Sequence, residues 1–299
     1  MVTIATDYRS DLLILTGTAY DEANLTEQQN MRLAGKSSEF SEGISELITK
    51  LSSTEKKFSN EKVTTSLTYP KTYNPNRSII DRVNELSAIL SLNPQQALTF
   101  VDQVLSKTKV PADFDGFLAT PSLSALAEKY FPGTTDLHEQ YCKAVQLLLD
   151  KVKASRDFYN YREGEIDPAH LQQMFRTISM LAKATEQQPG DILVFPFQSG
   201  KKYPGYSPQN TQECFEDTAD EFGMRSLDGL SLALTDLGRF STFEELDPDL
   251  VGDMFSPDGD GSFSESPSLG FYDDELKFGT VDVSGARRYY GSGSLRLPQ

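Results

Sequence analysis

Tryptophan is absent from this chain, and cysteine and histidine are nearly so, with two residues of each among 299. Two cysteines are too few for a disulfide framework in a chain of this length, and their separation matches no structural zinc spacing. The low cysteine content favours a reducing compartment. We therefore predict a cytoplasmic protein.

Basic residues are also scarce, because 28 Lys and Arg stand against 44 Asp and Glu, which gives a formal net charge of −16. Such a charge repels phosphate backbones and anionic membrane surfaces. No apolar run approaches the ~18 residues of a membrane span. The sequence thus predicts that neither nucleic acid nor a membrane is a partner, and it leaves the oligomeric state open.

Local catalytic motifs are missing as well. The chain contains no strong nucleotide-binding fingerprint, no HExxH and no GxSxG, which are the patterns that announce nucleotide, zinc-protease and serine-hydrolase chemistry. This absence favours a non-enzymatic interaction or structural protein that binds a protein partner, and it leads us to expect no cofactor apart from a calcium candidate.

A repeated dipeptide is the clearest signal that is present. Five times a small polar residue precedes a proline, and such a pair is typical of a helix start, because the polar side chain caps the helix and proline fits its first position. The five pairs are Asn93-Pro94, Thr120-Pro121, Asp167-Pro168, Ser207-Pro208 and Asp247-Pro248.

Apolar residues recur with a helical period over much of the chain. One amphipathic helix is predicted at about 38–58, and several closely spaced stripes between 78 and 188 predict a helical bundle. Around Phe271–Val283 the period changes to two, and Asp273-Asp274 is typical of a hairpin turn. The predicted fold class is therefore mainly α, with a helical bundle followed by a smaller α+β C-terminal part that carries a short antiparallel β segment.

Three regions follow from this organisation. Residues 1–77 are predicted to hold an N-terminal helix and an extended linker, residues 78–188 the helical bundle, and residues 189–299 an α+β domain with a flexible tail. The boundary near 189 is placed where Pro189-Gly190 precedes a buried strand at Ile192–Phe195.

The residues after that strand are a candidate anion or ligand site. A strand, a glycine loop and a helix start provide backbone N–H groups for an anion, and lysines add charge. The alternative is an ordinary surface loop, because the spacing of a phosphate-binding loop is not met. The candidate residues are Ser199, Gly200, Lys201 and Lys202.

Residues 256–265 resemble the start of an EF-hand loop, in which alternating oxygen ligands precede a glycine. Asp258 and Asp260 would ligate Ca²⁺, but Pro267 stands where the loop needs its final glutamate. The alternative is a solvated turn built from Asp and Gly.

The C-terminal residues combine arginine and tyrosine, two side chains that anchor protein interfaces. We predict that this segment docks a protein partner through Arg287, Arg288, Tyr289, Tyr290 and Arg296.

An enzyme is the alternative, specifically a hydrolase or transferase that uses scattered carboxylates or Cys214 at a site between the helical and C-terminal parts. A carboxylate-rich stretch is one source of an acid/base pair, although so acidic a chain favours a solvated face. Its members are Glu244, Glu245, Asp247, Asp249 and Asp253. A polar pocket with perturbed carboxylates would distinguish the enzyme from the interaction protein.

Overall fold

A computed structural model describes residues 23–51, 56–243 and 245–298 of the chain. Contacts divide the chain into two compact units, residues 1–55 and residues 56–299. In the first unit, α1 (Glu27–Ala34) and α2 (Ser37–Leu51) are described, and α2 covers most of the helix predicted at about 38–58. In the described ranges, no helix is both long enough and apolar enough to cross a membrane.

The second unit combines helices with one large sheet. Its α-helices are α3 (Ile79–Leu90), α4 (Gln95–Gln103), α5 (Leu123–Tyr130), α6 (Leu137–Ser155), α7 (Phe175–Gln187), α8 (Pro208–Glu216) and α9 (Ser226–Thr235). Its strands are β1 (Gly116–Pro121), β2 (Phe158–Asn160), β3 (Leu171–Gln173), β4 (Ile192–Pro204), β5 (Glu221–Gly223), β6 (Asp247–Asp249), β7 (Asp253–Phe255), β8 (Glu265–Tyr272), β9 (Glu275–Asp282) and β10 (Tyr290–Arg296).

All ten of these strands belong to one mixed sheet, ordered β1-β4-β10-β6-β8-β7-β3, with β2 paired to β9 and β5 paired to β10. Strand β10 runs antiparallel to β4 and β5 and parallel to β6. The C-terminal strand is therefore an interior member of the sheet, because it pairs with three others.

The predicted fold class is wrong, since a ten-stranded mixed sheet rather than a helical bundle is the main body. Strands β1, β2 and β3 fall inside the range 78–188 and pair with β4, β9 and β7, which come later in the chain. Strands of three residues such as β2 and β3 carry too little alternation for a period-two signal. The division into regions 1–77, 78–188 and 189–299 stays a prediction.

The proline dipeptides have different outcomes. At Ser207-Pro208 the prediction is confirmed, because the Ser207 hydroxyl accepts the Asn210 N–H at 3.1 Å and proline opens α8. At Asp247-Pro248 it is wrong, since both residues lie in β6. Thr120-Pro121 ends β1, and α5 begins two residues further on.

Helix α9 lies at the centre of the core, and each of its ten residues is buried. It contacts β1, α3 and α6. Two aromatic side chains of the sheet, Phe195 and Phe222, meet edge to face with ring centroids 5.7 Å apart. The core therefore contains helices from the range 78–188 together with strands that come before and after residue 189 in the sequence.

Candidate active site

A polar cavity of about 370 Å³ opens between the chain at residues 161–162 and the C-terminal strands. Its lining residues are Tyr161, Arg162, Ser268, Tyr272, Gly279, Thr280 and Tyr290. Most of these side chains carry a hydroxyl group. We call this cavity the tyrosine pocket.

The β8–β9 hairpin provides most of the wall. Its two-residue turn is the predicted Asp273-Asp274, at φ of 56° and 62°, and the flanking residues Tyr272 and Glu275 are paired. Positive φ at both central residues is the geometry of a hairpin turn that matches the strand twist. The hairpin prediction is therefore confirmed, and the turn fixes Tyr272 at the cavity.

Tyr161 reaches the cavity because the chain after β2 is tied to β9. The Tyr161 N–H donates to the Phe278 carbonyl at 2.9 Å, and its ring lies 3.5 Å from the point where a Cβ of Gly279 would be. Glycine at this position thus leaves room for the ring against the strand.

Two carboxyl groups share the sheet face that borders the tyrosine pocket. Asp247 pairs with Tyr290, and Asp249 pairs with both Ser268 and Ser292. Because side chains alternate along a strand and paired residues point to one face, Asp247 and Asp249 lie on the same side as two of the lining residues.

Asp247 sits directly beside Tyr272. Its Oδ2 atom is 2.7 Å from the point where a Cβ of Gly270 would lie, and Cε1 of Tyr272 is 3.1 Å from that same point. A side chain on Gly270 would displace the carboxyl group. Gly270 therefore makes the space in which Asp247 reaches the pocket wall.

Burial perturbs both carboxyl groups. Desolvation raises the pKa of Asp247 to about 7, against the opposing effect of the Arg239 charge. Desolvation also raises the pKa of Asp249 well above its ordinary value, although Arg287 favours the ionised form. Asp249 is 1% exposed and Asp247 is half-buried. The solvated face favoured by the sequence is wrong for both.

Several buried polar atoms on this part of the sheet lack a hydrogen-bond partner among the described residues. They are Oδ1 of Asp249, Oγ of Ser266 and Oγ of Ser292. Asp249 and Ser292 are paired across β6 and β10. A buried polar atom without a protein partner costs free energy unless water or a ligand satisfies it.

The raised pKa of Asp247 makes stability depend on pH. The protonated carboxyl is favoured in the folded state, so its contribution is complete below pH 4 and is lost as pH rises through about 7. We expect Asp247→Asn to remove roughly 3 kcal/mol of pH dependence between pH 5 and 8. Urea unfolding at pH 5 and pH 8 measures this difference. Asp274→Asn, on the exposed hairpin turn, is the control and should keep the dependence of the unmodified chain.

The predicted anion-site residues lie inside β4, not in a loop. Their lysines are already paired, since Lys201 Nζ is 3.0 Å from Asp115 and Lys202 Nζ is 2.6 Å from Glu221. Ser199 donates its N–H to Asp115, and a Cβ on Gly200 would lie 3.0 Å from the Gly291 carbonyl oxygen. These residues hold the sheet together, and the tyrosine pocket contains none of the four.

The predicted docking residues are separated by the fold. Arg287 and Arg288 are exposed, and Tyr289 is half-buried, in the loop before β10. Tyr290 begins β10 and lines the tyrosine pocket, whereas Arg296 ends the strand and donates to Asp220 at 2.7 Å. The segment predicted to be a flexible tail is thus mostly a strand.

The proposed calcium loop forms turns at 257–261. The Asp260 carboxylate accepts the Ser262 N–H at 2.8 Å and the Ser256 hydroxyl at 3.3 Å, and Gly259 packs against His170. Within the described part of the chain, no group of three or more His, Cys, Asp or Glu is arranged to hold a metal ion. Calcium binding through Asp258 and Asp260 stays a prediction.

Cys214 is a weak candidate nucleophile in this environment. Burial raises the pKa of its thiol, and its hydrogen-bond acceptor is the Asn210 amide at 3.8 Å. A thiol must ionise to become a strong nucleophile, so a raised pKa works against catalysis. The carboxylates remain the stronger part of the enzyme alternative.

The sequence analysis missed Tyr161, Tyr272 and Ser268 and assigned Tyr290 to partner docking. It also favoured a solvated face for the stretch that contains Asp247 and Asp249. The available signal was their spacing, because two aspartates two residues apart share a face only in a strand. Comparison with protein-family models, with curated proteins and with solved structures finds no match to this chain.

Proposed function

We propose that this chain is a hydrolase or transferase that acts by acid–base catalysis on a small polar substrate held in the tyrosine pocket. The observation that supports this most is that half-buried Asp247 and buried Asp249 both have raised pKa values beside a polar cavity. The cavity lies between residues 161–162 and the C-terminal strands.

Asp247 is the proposed catalytic residue. A carboxyl group with a pKa of about 7 is substantially populated in both protonation states near neutral pH, which is what a general acid or base requires. Asp249 follows two residues later on the same strand, and burial raises its pKa as well.

The proton balance closes at Asp247. The ionised carboxyl removes a proton from the attacking water or acceptor hydroxyl, and the protonated carboxyl then donates that proton to the leaving oxygen as the scissile bond breaks. Asp247 thus ends with the same number of protons as it began, and no external oxidant or reductant is consumed.

Removal of the acid–base group tests this proposal. We expect Asp247→Asn to lower kcat/KM by about 10²–10⁴-fold on chromogenic 4-nitrophenyl esters, phosphates or glycosides, whichever of these classes is cleaved. Gly270→Ala keeps the carboxyl but displaces it, and should lower kcat and shift the pH profile. Asp274→Asn makes the same chemical change at the exposed turn and should leave turnover unchanged. The proposal would be refuted if turnover were insensitive to Asp247→Asn. It would also be refuted if no turnover were observed with any of the three substrate classes.

A protein-interaction role is the second candidate. The observation that favours it is the exposure of Arg287 and Arg288 in an otherwise acidic chain. We propose this role for the loop before β10 alone, with a protein partner and a cytoplasmic location. Replacing both arginines by alanine should abolish the interaction, and a pull-down with the unmodified chain as the reference measures it.

A further inference from the structure

We infer that Lys277 is a positioning residue of the tyrosine pocket, because its ammonium group lies among three tyrosine rings, two of which line the cavity. This inference goes beyond the proposed function, since it concerns how the pocket is built and does not require the reaction to be known. Three observations carry it: the contacts of the ammonium group, the place of Lys277 in the sheet, and the exposure of the rings.

The ammonium group of Lys277 is held by aromatic rings and a carboxylate. Its Nζ atom lies 5.2 Å from the ring centroid of Tyr272, 5.4 Å from that of Tyr159 and 5.9 Å from that of Tyr161. The same atom donates to Glu275 at 2.7 Å. A cation within about 6 Å of a ring centroid is attracted by the ring, and more strongly where water is excluded. The side chain of Lys277 is only 6% exposed, so these groups replace solvent around the charge.

Strand pairing places Lys277 between the rings. Lys277 lies in β9, where it pairs with Tyr159 of β2 on one side and with Gly270 of β8 on the other. Paired residues of neighbouring strands point to the same face of a sheet, so Lys277 and Tyr159 share a face. Gly270 adds no side chain to that face, and Cε1 of Tyr272 lies 3.1 Å from the point where its Cβ would be. The missing side chain thus leaves the room in which Tyr272 lies beside Lys277.

The strands fix the backbone of the tyrosines but not the orientation of their rings. Tyr159 is 50% exposed and Tyr161 is 51% exposed, so packing covers only about half of each residue. Exposed side chains change rotamer within picoseconds to nanoseconds unless a contact holds them. The rings of Tyr159 and Tyr161 meet edge to face with centroids 4.8 Å apart, and Lys277 joins both to Tyr272. The ammonium group therefore restricts Tyr161 and Tyr272 to their places at the cavity.

Fluorine NMR of the full chain labelled with 3-fluorotyrosine tests this inference. The chain has 13 tyrosines, and the variants Tyr161→Phe and Tyr272→Phe assign the two signals of interest. We expect Lys277→Met, which keeps the length of the side chain and removes its charge, to shift or broaden both signals. Lys277→Gln is a second neutral variant and should act in the same way. Lys277→Arg keeps the charge and should leave both signals near their original positions.

The matched control is Lys129→Met. Lys129 Nζ lies 5.9 Å from the ring centroid of Tyr130, but neither residue lines the cavity, so the signals of Tyr161 and Tyr272 should not change. Urea unfolding of each variant separates positioning from stability. A lowered midpoint of the neutral variants with both signals in place would indicate a purely structural role and overturn the inference. A Lys277→Arg variant that behaves as Lys277→Met does would overturn it as well.

Turnover provides a second readout where a chromogenic probe is cleaved. We expect Lys277→Met to raise KM by about tenfold and to change kcat less, because Tyr161 and Tyr272 line the cavity while Asp247 keeps its place beside Gly270. A fall in kcat with an unchanged KM would overturn the positioning role. Absence of turnover with every probe class would refute the proposed function but not this inference, which the fluorine signals test on their own.

Discussion

Deletion of residues 285–299 is expected to abolish cooperative folding of the second unit. These residues include β10, which pairs with β4, β5 and β6, and Leu295, which is fully buried. Without β10, three strands lose a partner and their backbone N–H and C=O groups lose their hydrogen bonds. The loss should exceed the ~5–15 kcal/mol of stability that a native protein has.

Far-UV circular dichroism and urea unfolding measure this effect. The control removes far more chain from the other end, since deletion of residues 1–55 takes away a separate compact unit. We expect residues 56–299 to retain a cooperative transition with a similar midpoint. If a chain of residues 1–284 unfolded in urea with the same transition as the full chain, this result would contradict the interior position of β10. Because this deletion damages the fold, substitution of Arg287 and Arg288 is the appropriate test of docking.

Arg82→Met is expected to destabilise the second unit by about 3–5 kcal/mol. The guanidinium is completely buried, donates to Asp236 at 2.7 Å and to the Phe117 carbonyl at 2.5 Å, and lies over the Phe197 ring. Methionine fills similar space but leaves Asp236, which is 6% exposed, without its counter-charge. The buried carboxyl must then either lose its ionisation or remain as an uncompensated charge.

Urea unfolding measures the loss, and pH provides a further check. Burial already raises the pKa of Asp236 against the opposing effect of Arg82. Protonation relieves the uncompensated charge, so the cost of Arg82→Met should be smaller at pH 5 than at pH 8. Asp236→Asn in the Arg82→Met background should recover part of the loss. Arg77→Met is the matched control, because 39% of the side chain of its partner Glu85 is exposed and such pairs contribute below about 1 kcal/mol. Equal effects of the two arginine substitutions would contradict the buried pair.

Features that depend on neighbours along the chain were predictable. The Ser207-Pro208 helix start needs only a hydroxyl and an N–H three residues apart, and the Asp273-Asp274 turn needs two residues that tolerate positive φ. Both are present in the structure because their hydrogen bonds are made within a few residues. The helix at α2 was predicted for the same reason, from the period of its apolar side chains.

The same local signal failed where distant pairing competes with it. Asp247-Pro248 has the composition of a helix start, but Asp247 donates its N–H to the Tyr289 carbonyl at 2.8 Å, forty-two residues away. Proline at 248 is compatible with a strand because the neighbouring N–H groups, at Asp247 and Leu250, make the hydrogen bonds instead. Pairing with β10 and β8 therefore overrides the local preference.

The candidate site shows the same division. The sequence identified a run of carboxylates and an arginine- and tyrosine-rich end, but not that Tyr290 and Asp247 are neighbours in adjacent strands. It also favoured solvated carboxylates, because burial is a property of the sheet and not of the stretch that contains them. The pKa values of Asp247 and Asp249 are raised by that burial.

The amino-acid sequence by itself determined an acidic chain, its local helix start at Ser207, the hairpin turn at Asp273-Asp274 and the amphipathic helix α2. The tertiary structure alone decided that β10 is interior, that the lysines of β4 are paired, and that two aspartates border a tyrosine-lined cavity. The physical reason is how far apart in the sequence the interacting residues are. Caps and turns are stabilised by hydrogen bonds within four residues, whereas strand pairing and desolvation depend on residues that are far apart in the chain.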